Sequence, residues 1–532
     1  MEGQKNIFQD FYFWISLGLG GFFLAMTLWF SLGTDQSLYA YSAWVWKAYH
    51  LPPYLGSWNH NWPGSHLLHR LALEIFGAGI LSFRLFDFLA QLSSLMIIYY
   101  LAQRLSRQRT AGFLASVFYG IYYFQLNFTK TDEKEGYVLW LLLFAVFCAL
   151  RFGRRAGLRA VLVGGLSGLV FLVKPTFGLC WPVFGVWFLA TGLRQRPSRV
   201  WLELLIFGIC CLIPALLVVF YYWRLDALNQ LYDAAIWFNF AVYSQMIHLT
   251  PVAKFKAIIL MFYNLAGERP LMIVSAIFAI LIPIANWKEY QEKSLFLVIL
   301  SLILVSLLSI LIQGKNFLYY WIPFWGFLMI FSGAGFSVMG SRLAESDRSL
   351  RSKFMAGMFY LILILLAVAS INLWSLKFAI RCPFRDLRSA YLYQSDVNFR
   401  VAEYLQPLLK PGDEIELIDW NPMLAFLLKK KLPSRFACFE TLLFRHRDGK
   451  LRPKQKEWMS EYTGEVIKAR PRFFLVSFLT GPERLRDIYN LPELNLEEAL
   501  AKEFPDLQKF LEQNYQLINT IGTIKIYQRV SP

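Results

Sequence analysis

Runs of about 20 apolar residues recur along this chain, and that recurrence constrains its fold more than any other feature. A run of this length crosses a bilayer as a helix, because inside hydrocarbon every backbone N–H and C=O must find a partner within the segment. Roughly eleven such runs occur, centred near residues 22, 91, 119, 145, 165, 184, 212, 278, 303, 328 and 364. The run near 119 is short, and Pro175 separates a closely spaced pair. The composition agrees: 57% of residues are apolar and 17% are charged, against about 25% charged in soluble domains. Disordered, collagen-like and coiled-coil chains are excluded. Six cysteines in 532 residues exclude a disulfide scaffold. The first run, about 11–32, is too long for the apolar part of a signal peptide and reads as a retained span.

The chain carries a net charge of +17. Its cations gather in alternate short loops: Arg104, Arg107 and Arg109, then Arg151, Arg154, Arg155 and Arg159, then Arg194, Arg196 and Arg199. Lys288 and Lys293 follow, then Arg342, Arg348, Arg351 and Lys353. The positive-inside rule makes this set cytoplasmic, together with the N-terminus. An odd span count places the C-terminus outside. No nucleic-acid-binding signature accompanies the charge, so no nucleic-acid partner is expected. The outer face then holds a loop at about 33–78, an acidic loop at 129–136, a loop at 224–269 and everything after about 376. The first loop is rich in aromatics (Tyr39, Tyr41, Trp44, Trp46, Tyr49), a pattern expected to lie in the membrane interface.

The expected fold is an α-helical polytopic membrane domain over 1–375 with a small extracytoplasmic α/β domain over 376–532. Strands are predicted at Glu414–Trp420, Arg472–Ser477 and Tyr515–Arg529, the last broken near Gly522. Helices are predicted over 396–409, 454–469 and 495–513. Cys148, Cys180, Cys210 and Cys211 lie in apolar runs and read as small hydrophobes. Cys382 and Cys438 lie in the polar tail, and spacing alone leaves their pairing open.

Polar groups at a membrane boundary are costly and mark candidate chemistry. Asp35 ends the first span, where a carboxylate is suited to take a proton from a hydroxyl; a solvated helix-end carboxylate is the plain alternative. Lys130-Thr131-Asp132-Glu133-Lys134-Glu135 packs five charges into six residues, either as a solvated loop or as an acidic wall that orients a substrate or holds a divalent cation. Asp132 and Glu135, three apart, are expected on one helix face. Arg84, Lys174 and Lys315 are cations suited to a lipid phosphate, or else snorkel to headgroups; Arg84 is also one turn from Asp87. His60 and His66 flank Asn61-Trp62-Pro63-Gly64 in the first loop, with a spacing that matches no standard zinc motif. No P-loop, dinucleotide fingerprint or Gly-x-Ser-x-Gly elbow is present.

The order of these features resembles the GT-C superfamily of polytopic glycosyltransferases, in particular the bacterial group that includes aminoarabinose transferase and relatives of protein O-mannosyltransferase. The resemblance runs over about 1–340. It rests on Asp35 after the first span, the aromatic loop ending in Asn61-Trp62-Pro63-Gly64, and Leu73-Glu74-Ile75-Phe76-Gly77. Arg84-Leu85, the basic turn Arg104-Leu105-Ser106-Arg107, the acidic second loop and the segment from Lys315 to Pro323 follow in order. Two departures stand out: Gln36 follows Asp35 where many relatives carry Glu, and Asn61-Trp62-Pro63-Gly64 replaces a Pro-Pro pair. The resemblance implies a sugar donor on a polyprenyl phosphate and a lipid, glycan or protein acceptor, used on the outer face of a bacterial inner membrane. It implies Asp35 as general base, with Asp132 and Glu135 positioning the acceptor and Arg84, Lys174 and Lys315 holding the donor phosphate. Glu133, His60, Asn61 and Tyr319 are expected to contact substrate. The resemblance names no certain cofactor and leaves a divalent cation open. A lipid or glycan transporter, and an O-antigen polymerase or ligase, are the competing readings. Inverted repeats with broken helices would mark the first.

Overall fold

The computed structural model describes residues 9–195, 197–246, 250–285, 292–315, 317–345, 349–373, 376, 396–480 and 491–530. Each of the eleven expected centres falls inside a helix. The first nine helices are α1 (Phe11–Met26), α2 (Thr34–Tyr49), α3 (Pro63–Phe76), α4 (Ile80–Ser106), α5 (Arg109–Gln125), α6 (Lys134–Arg151), α7 (Ala156–Val173), α8 (Cys180–Gln195) and α9 (Val200–Arg224). Further long helices run over Pro251–Glu268, Pro270–Ala285, Lys293–Gln313, Ile322–Glu345 and Leu350–Ala369. Among the described residues eight helices are long and apolar enough to cross a membrane. The helices at the three remaining centres are α5, α6 and Pro270–Ala285. The first has 17 residues and the last 16, and α6 opens on the charged pair Lys134 and Glu135.

The chain divides into two compact units. The first contains 1–28, 84–217 and 250–383 and holds most of the apolar helices. Asp10 starts α1 as its N-cap, its side chain accepting from the Tyr12 N–H at 3.1 Å. α5 is buried on nearly all sides, so its sequence is apolar all round rather than striped. α1 and α5 touch backbone to backbone at Gly20 and Gly120, where a Cβ on Gly120 would stand 2.6 Å from the Gly20 carbonyl oxygen. Such close contact of small residues drives helix association where lipid tails are as apolar as leucine.

The second unit contains 29–83, 218–249 and 384–532. The tail therefore shares a unit with the first loop. Its four-stranded sheet has the order β1-β2-β4-β3, from β1 (Ile415–Ile418), β2 (Phe473–Ser477), β3 (Tyr515–Ile521) and β4 (Ile524–Arg529). β1 pairs parallel to β2 with Ile415 opposite Phe473, and β4 runs antiparallel to β2 with Gln528 opposite Phe473. β1 and β2 are buried throughout, β2 along the apolar run Phe473–Val476 and β1 with Glu416 enclosed between Ile415 and Leu417. β3 and β4 form a hairpin about Gly522, whose φ of +58° favours glycine. The predicted helix over 495–513 is two helices, Leu496–Glu503 and Pro505–Asn514, because Pro505 cannot continue the first.

The core of this unit centres on Trp58 of the first loop. Its ring lies 4.9 Å from Trp458 and 5.0 Å from Phe238, centroid to centroid. Trp58 N–H donates to the Arg435 carbonyl at 2.6 Å, and Leu432 N–H donates to the Tyr41 hydroxyl at 2.8 Å. Tyr39, Tyr41 and Trp44 are consequently buried. Within the aromatic run the first three rings therefore pack into protein, while Trp46 is half-buried and Tyr49 is exposed. Cys438 is a free, buried thiol; Cys382 lies outside the described residues.

Candidate active site

In the first unit, the start of α4, the end of α5, the start of α6 and the end of α7 meet at one end of the helices. Arg84, one turn into α4, is fully buried. It donates from Nη1 to the Thr131 hydroxyl at 2.8 Å and from Nη2 to the Phe128 carbonyl at 3.1 Å. Its fork thus holds the loop between α5 and α6. Asp87, one turn on, accepts at Oδ1 from the Tyr123 hydroxyl at 2.7 Å and from Gln91 Nε2 at 3.0 Å.

Asp132 does not share a helix face with Glu135. It precedes α6 in the left-handed region, φ +61°, so the three-residue spacing is not helical there. Its N–H donates to the Tyr123 hydroxyl at 3.0 Å, and its Oδ1 accepts from the Tyr137 hydroxyl at 2.6 Å. Glu133 is buried at the N-cap of α6, its carbonyl accepting from the Gly136 N–H at 2.9 Å. Glu135, in the first helical turn, is paired with Lys174 at the end of α7. The Lys174 ammonium also stands 3.8 Å from the centre of the Tyr320 ring, a cation–π contact. Lys315 is buried just past the helix Lys293–Gln313, and Tyr319 stacks on Phe317 with rings 5.5 Å apart and nearly parallel. The first unit therefore gathers Arg84, Asp132, Glu135 and Lys174 into adjoining contacts.

In the second unit, Asp35 lies in the first turn of α2, partly exposed. The tail supplies two more carboxyls to its surroundings. Glu440 is buried and held well above the usual carboxylate range, first by burial and further by the charges of Asp419 and Asp35. Burial pushes Asp419 up to about 6, against the Trp420 N–H and the Ser477 hydroxyl, which stabilise its ionised form. Asn61 has a structural posture: its N–H donates to Asn59 Oδ1 at 3.0 Å, and its carbonyl accepts from the Tyr54 hydroxyl at 2.6 Å. Asn59 Oδ1 also meets His66 Nε2 at 3.0 Å. His60 packs its ring 4.1 Å from that of Tyr243 while its carbonyl accepts from Asn239 at 2.7 Å.

Sequence reasoning passed over Gln91, Tyr123, Tyr137, Asp419 and Glu440, and named Asp87 only as a partner for Arg84. Asp87 and Gln91, four apart inside an apolar run, were the available signal. Among the described residues, no group of three or more His, Cys, Asp or Glu is placed to hold a metal ion. Asp87, Asp132 and Glu135 accept from tyrosine hydroxyls, an amide and a lysine.

Residues 60–223 match the family described as dolichyl-phosphate-mannose-protein mannosyltransferase. No curated protein matches the chain. Among solved structures, the chain is similar to ArnT from Cupriavidus metallidurans bound to undecaprenyl phosphate, with a TM-score of 0.57 and 14% identity over 98% of this chain and 97% of that one. The apo state of the same protein gives a TM-score of 0.53 at 14% identity, covering 96% of each chain. The oligosaccharyltransferase of Archaeoglobus fulgidus gives 0.54 at 12% identity, over 98% of this chain and 75% of that one. The chain shares its fold with ArnT and with this oligosaccharyltransferase.

Proposed function

We propose that this protein moves a sugar from a polyprenyl-phosphate donor to a hydroxyl of a lipid, glycan or protein acceptor. The site is on the outer face of a bacterial inner membrane, and the anomeric carbon inverts. The observation that carries the reading is the buried set Arg84, Asp132, Glu135 and Lys174, assembled where four helices end. Buried charges in such a place are expensive and suit a charged reacting group. The likeness to a protein bound to undecaprenyl phosphate supports the donor class.

In this mechanism the Asp35 carboxylate takes the proton of the acceptor hydroxyl. The freed oxygen forms a bond to the anomeric carbon, and the bond from that carbon to the phosphate oxygen breaks. The electron pair leaves on the polyprenyl phosphate. Arg84, Lys174 and Lys315 stabilise the charge that gathers there, an electrostatic contribution that is commonly the largest in catalysis. Asp132, Glu133 and Glu135 orient the acceptor, and His60, Asn61 and Tyr319 shape the substrate's surroundings. A phosphate leaving group needs no nucleotide-binding fold.

The test is sugar transfer in proteoliposomes from a panel of polyprenyl-phosphate sugars, with wild type beside Asp35→Asn. The variant is expected to lose about 10²–10⁴-fold in turnover, the usual worth of a general base, while still binding undecaprenyl phosphate. An Asp35→Asn protein with wild-type turnover removes Asp35 as the base. A wild type inert toward the whole panel removes the transferase reading.

A further inference from the structure

We propose that Asp87 is a positioning residue that sets Asp132 in place through the Tyr123 hydroxyl. The inference rests on the reading that the loop before α6 takes part in transfer.

Asp87 is fully buried in a membrane-spanning helix, and among the described residues its Oδ2 has no hydrogen-bond partner. A carboxyl in such a place is costly, so the contacts of its other oxygen matter. That oxygen, Oδ1, receives the Tyr123 hydroxyl proton at 2.7 Å and Gln91 Nε2 at 3.0 Å. Gln91 is itself fixed, because its Oε1 accepts from the Tyr119 hydroxyl at 2.6 Å. A phenol has one proton. With that proton committed to Asp87, the Tyr123 oxygen turns its lone pairs toward the loop, where the Asp132 N–H donates to it at 3.0 Å.

Two observations show that the loop needs this support. Asp132 is a non-glycine residue at φ +61°, a conformation that persists only where the surroundings over-determine it. The first turn of α6 also lies directly against the same groups. A Cβ on Gly136 would stand 2.9 Å from Gln91 Nε2 and 3.2 Å from the Tyr123 hydroxyl. Asp87, Gln91, Tyr119 and Tyr123 thus form a template on α4 and α5, on which the loop and the start of α6 are cast. Tyr137 completes it from the other side by donating to the Asp132 carboxylate.

The experiment uses the full chain in lipid nanodiscs and compares Asp87→Ala, Asp87→Asn, Tyr123→Phe, the double variant Asp87→Ala/Tyr123→Phe, and Asp132→Asn. Hydrogen exchange over 127–136 is read by mass spectrometry, and turnover is read with dolichyl phosphate mannose as donor probe. Asp87→Ala and Tyr123→Phe are expected to speed exchange of the loop amides about tenfold. The two should lower kcat alike while leaving the donor KM unchanged, the pattern of a group acting on the reacting geometry rather than on binding. Asp87→Asn keeps an acceptor oxygen for Tyr123 and should restore both readouts. The double variant should be no worse than either single one, because both changes break the same chain of contacts. Wild-type exchange in a folded Asp87→Ala protein overturns the inference, as does Asp87→Asn behaving like Asp87→Ala. If Asp132→Asn keeps wild-type turnover while Asp87→Ala still loosens the loop, the catalytic reading of the loop fails and the positioning of Asp132 by Asp87 stands.

Discussion

Glu416 offers a quantitative test of the tail's architecture, independent of any substrate. It sits in β1 with 1% of its surface exposed. The Tyr462 hydroxyl donates to its Oε1 at 2.8 Å, and among the described residues Oε2 has no partner. Burial pushes its carboxyl from 4.5 up to about 8, aided by Glu414 and Glu465 and opposed by Tyr462 and the Leu417 N–H. The sign follows from linkage. Below the unfolded value both states are protonated and the folded protein keeps its full stability. As pH rises, the unfolded chain ionises first, and stability is lost progressively until the folded value is passed. Between about pH 5 and pH 7.5 the loss amounts to about 3 kcal/mol. Glu416→Gln retains an acceptor for Tyr462 and cannot ionise. Its stability relative to wild type should therefore grow by that amount across the window, a gain of roughly 6–12 °C in melting temperature at the upper end. The assay is thermal unfolding of both proteins in nanodiscs at several pH values. Parallel curves for the two proteins would refute the reasoning, because Asp419 and Glu440 titrate in both and cancel in the difference.

Two further perturbations probe each unit. Trp58→Ala removes the ring at the centre of the second unit's core and should cost about 3–5 kcal/mol, read as a lower melting temperature and as simultaneous protease sensitivity of the first loop and the tail. Lys174→Met leaves Glu135 buried without its cation and should cost about 3–5 kcal/mol, whereas the double variant Lys174→Met/Glu135→Gln should recover most of that loss; a double variant as unstable as the single one would show that the pair does not act as a unit.

The helices were legible because a bilayer imposes a length and a polarity that any 20-residue window reveals. The tail's strands were legible for a related reason: β1 and β2 are short, largely apolar runs bounded by turn residues, broken in β1 only by Glu416, and Gly522 marks the hairpin. What stayed hidden depends on contacts distant in sequence. Nothing local in Tyr39, Tyr41 or Trp44 distinguishes a ring at a lipid interface from a ring packed on a tail some 390 residues away; the bond between Leu432 and Tyr41 spans 391 positions. The acidic loop was legible as a cluster of charge, but its shape was not. Spacing predicted one helical face for Asp132 and Glu135, while tertiary bonds from Tyr123 and Tyr137 hold Asp132 outside the helix. Asp419 and Glu440 sit in ordinary-looking surroundings in the sequence, and only folding brings them near Asp35.

The joint between Trp58 and the tail also sets a timetable for biogenesis. Residues near Tyr41 leave the ribosome 391 residues before their partner at Leu432 exists. At 5–20 residues per second that interval is roughly 20–80 s. For that long the loop's indole and phenol rings lack the tail's share of their native surface, with only partners such as Phe238 and His66 made earlier, while helix after helix enters the bilayer behind them. A nascent chain stalled anywhere before Arg435 should hold this loop open and reactive to aromatic-binding chaperones. Closure of the loop therefore waits on residues made 391 positions after it.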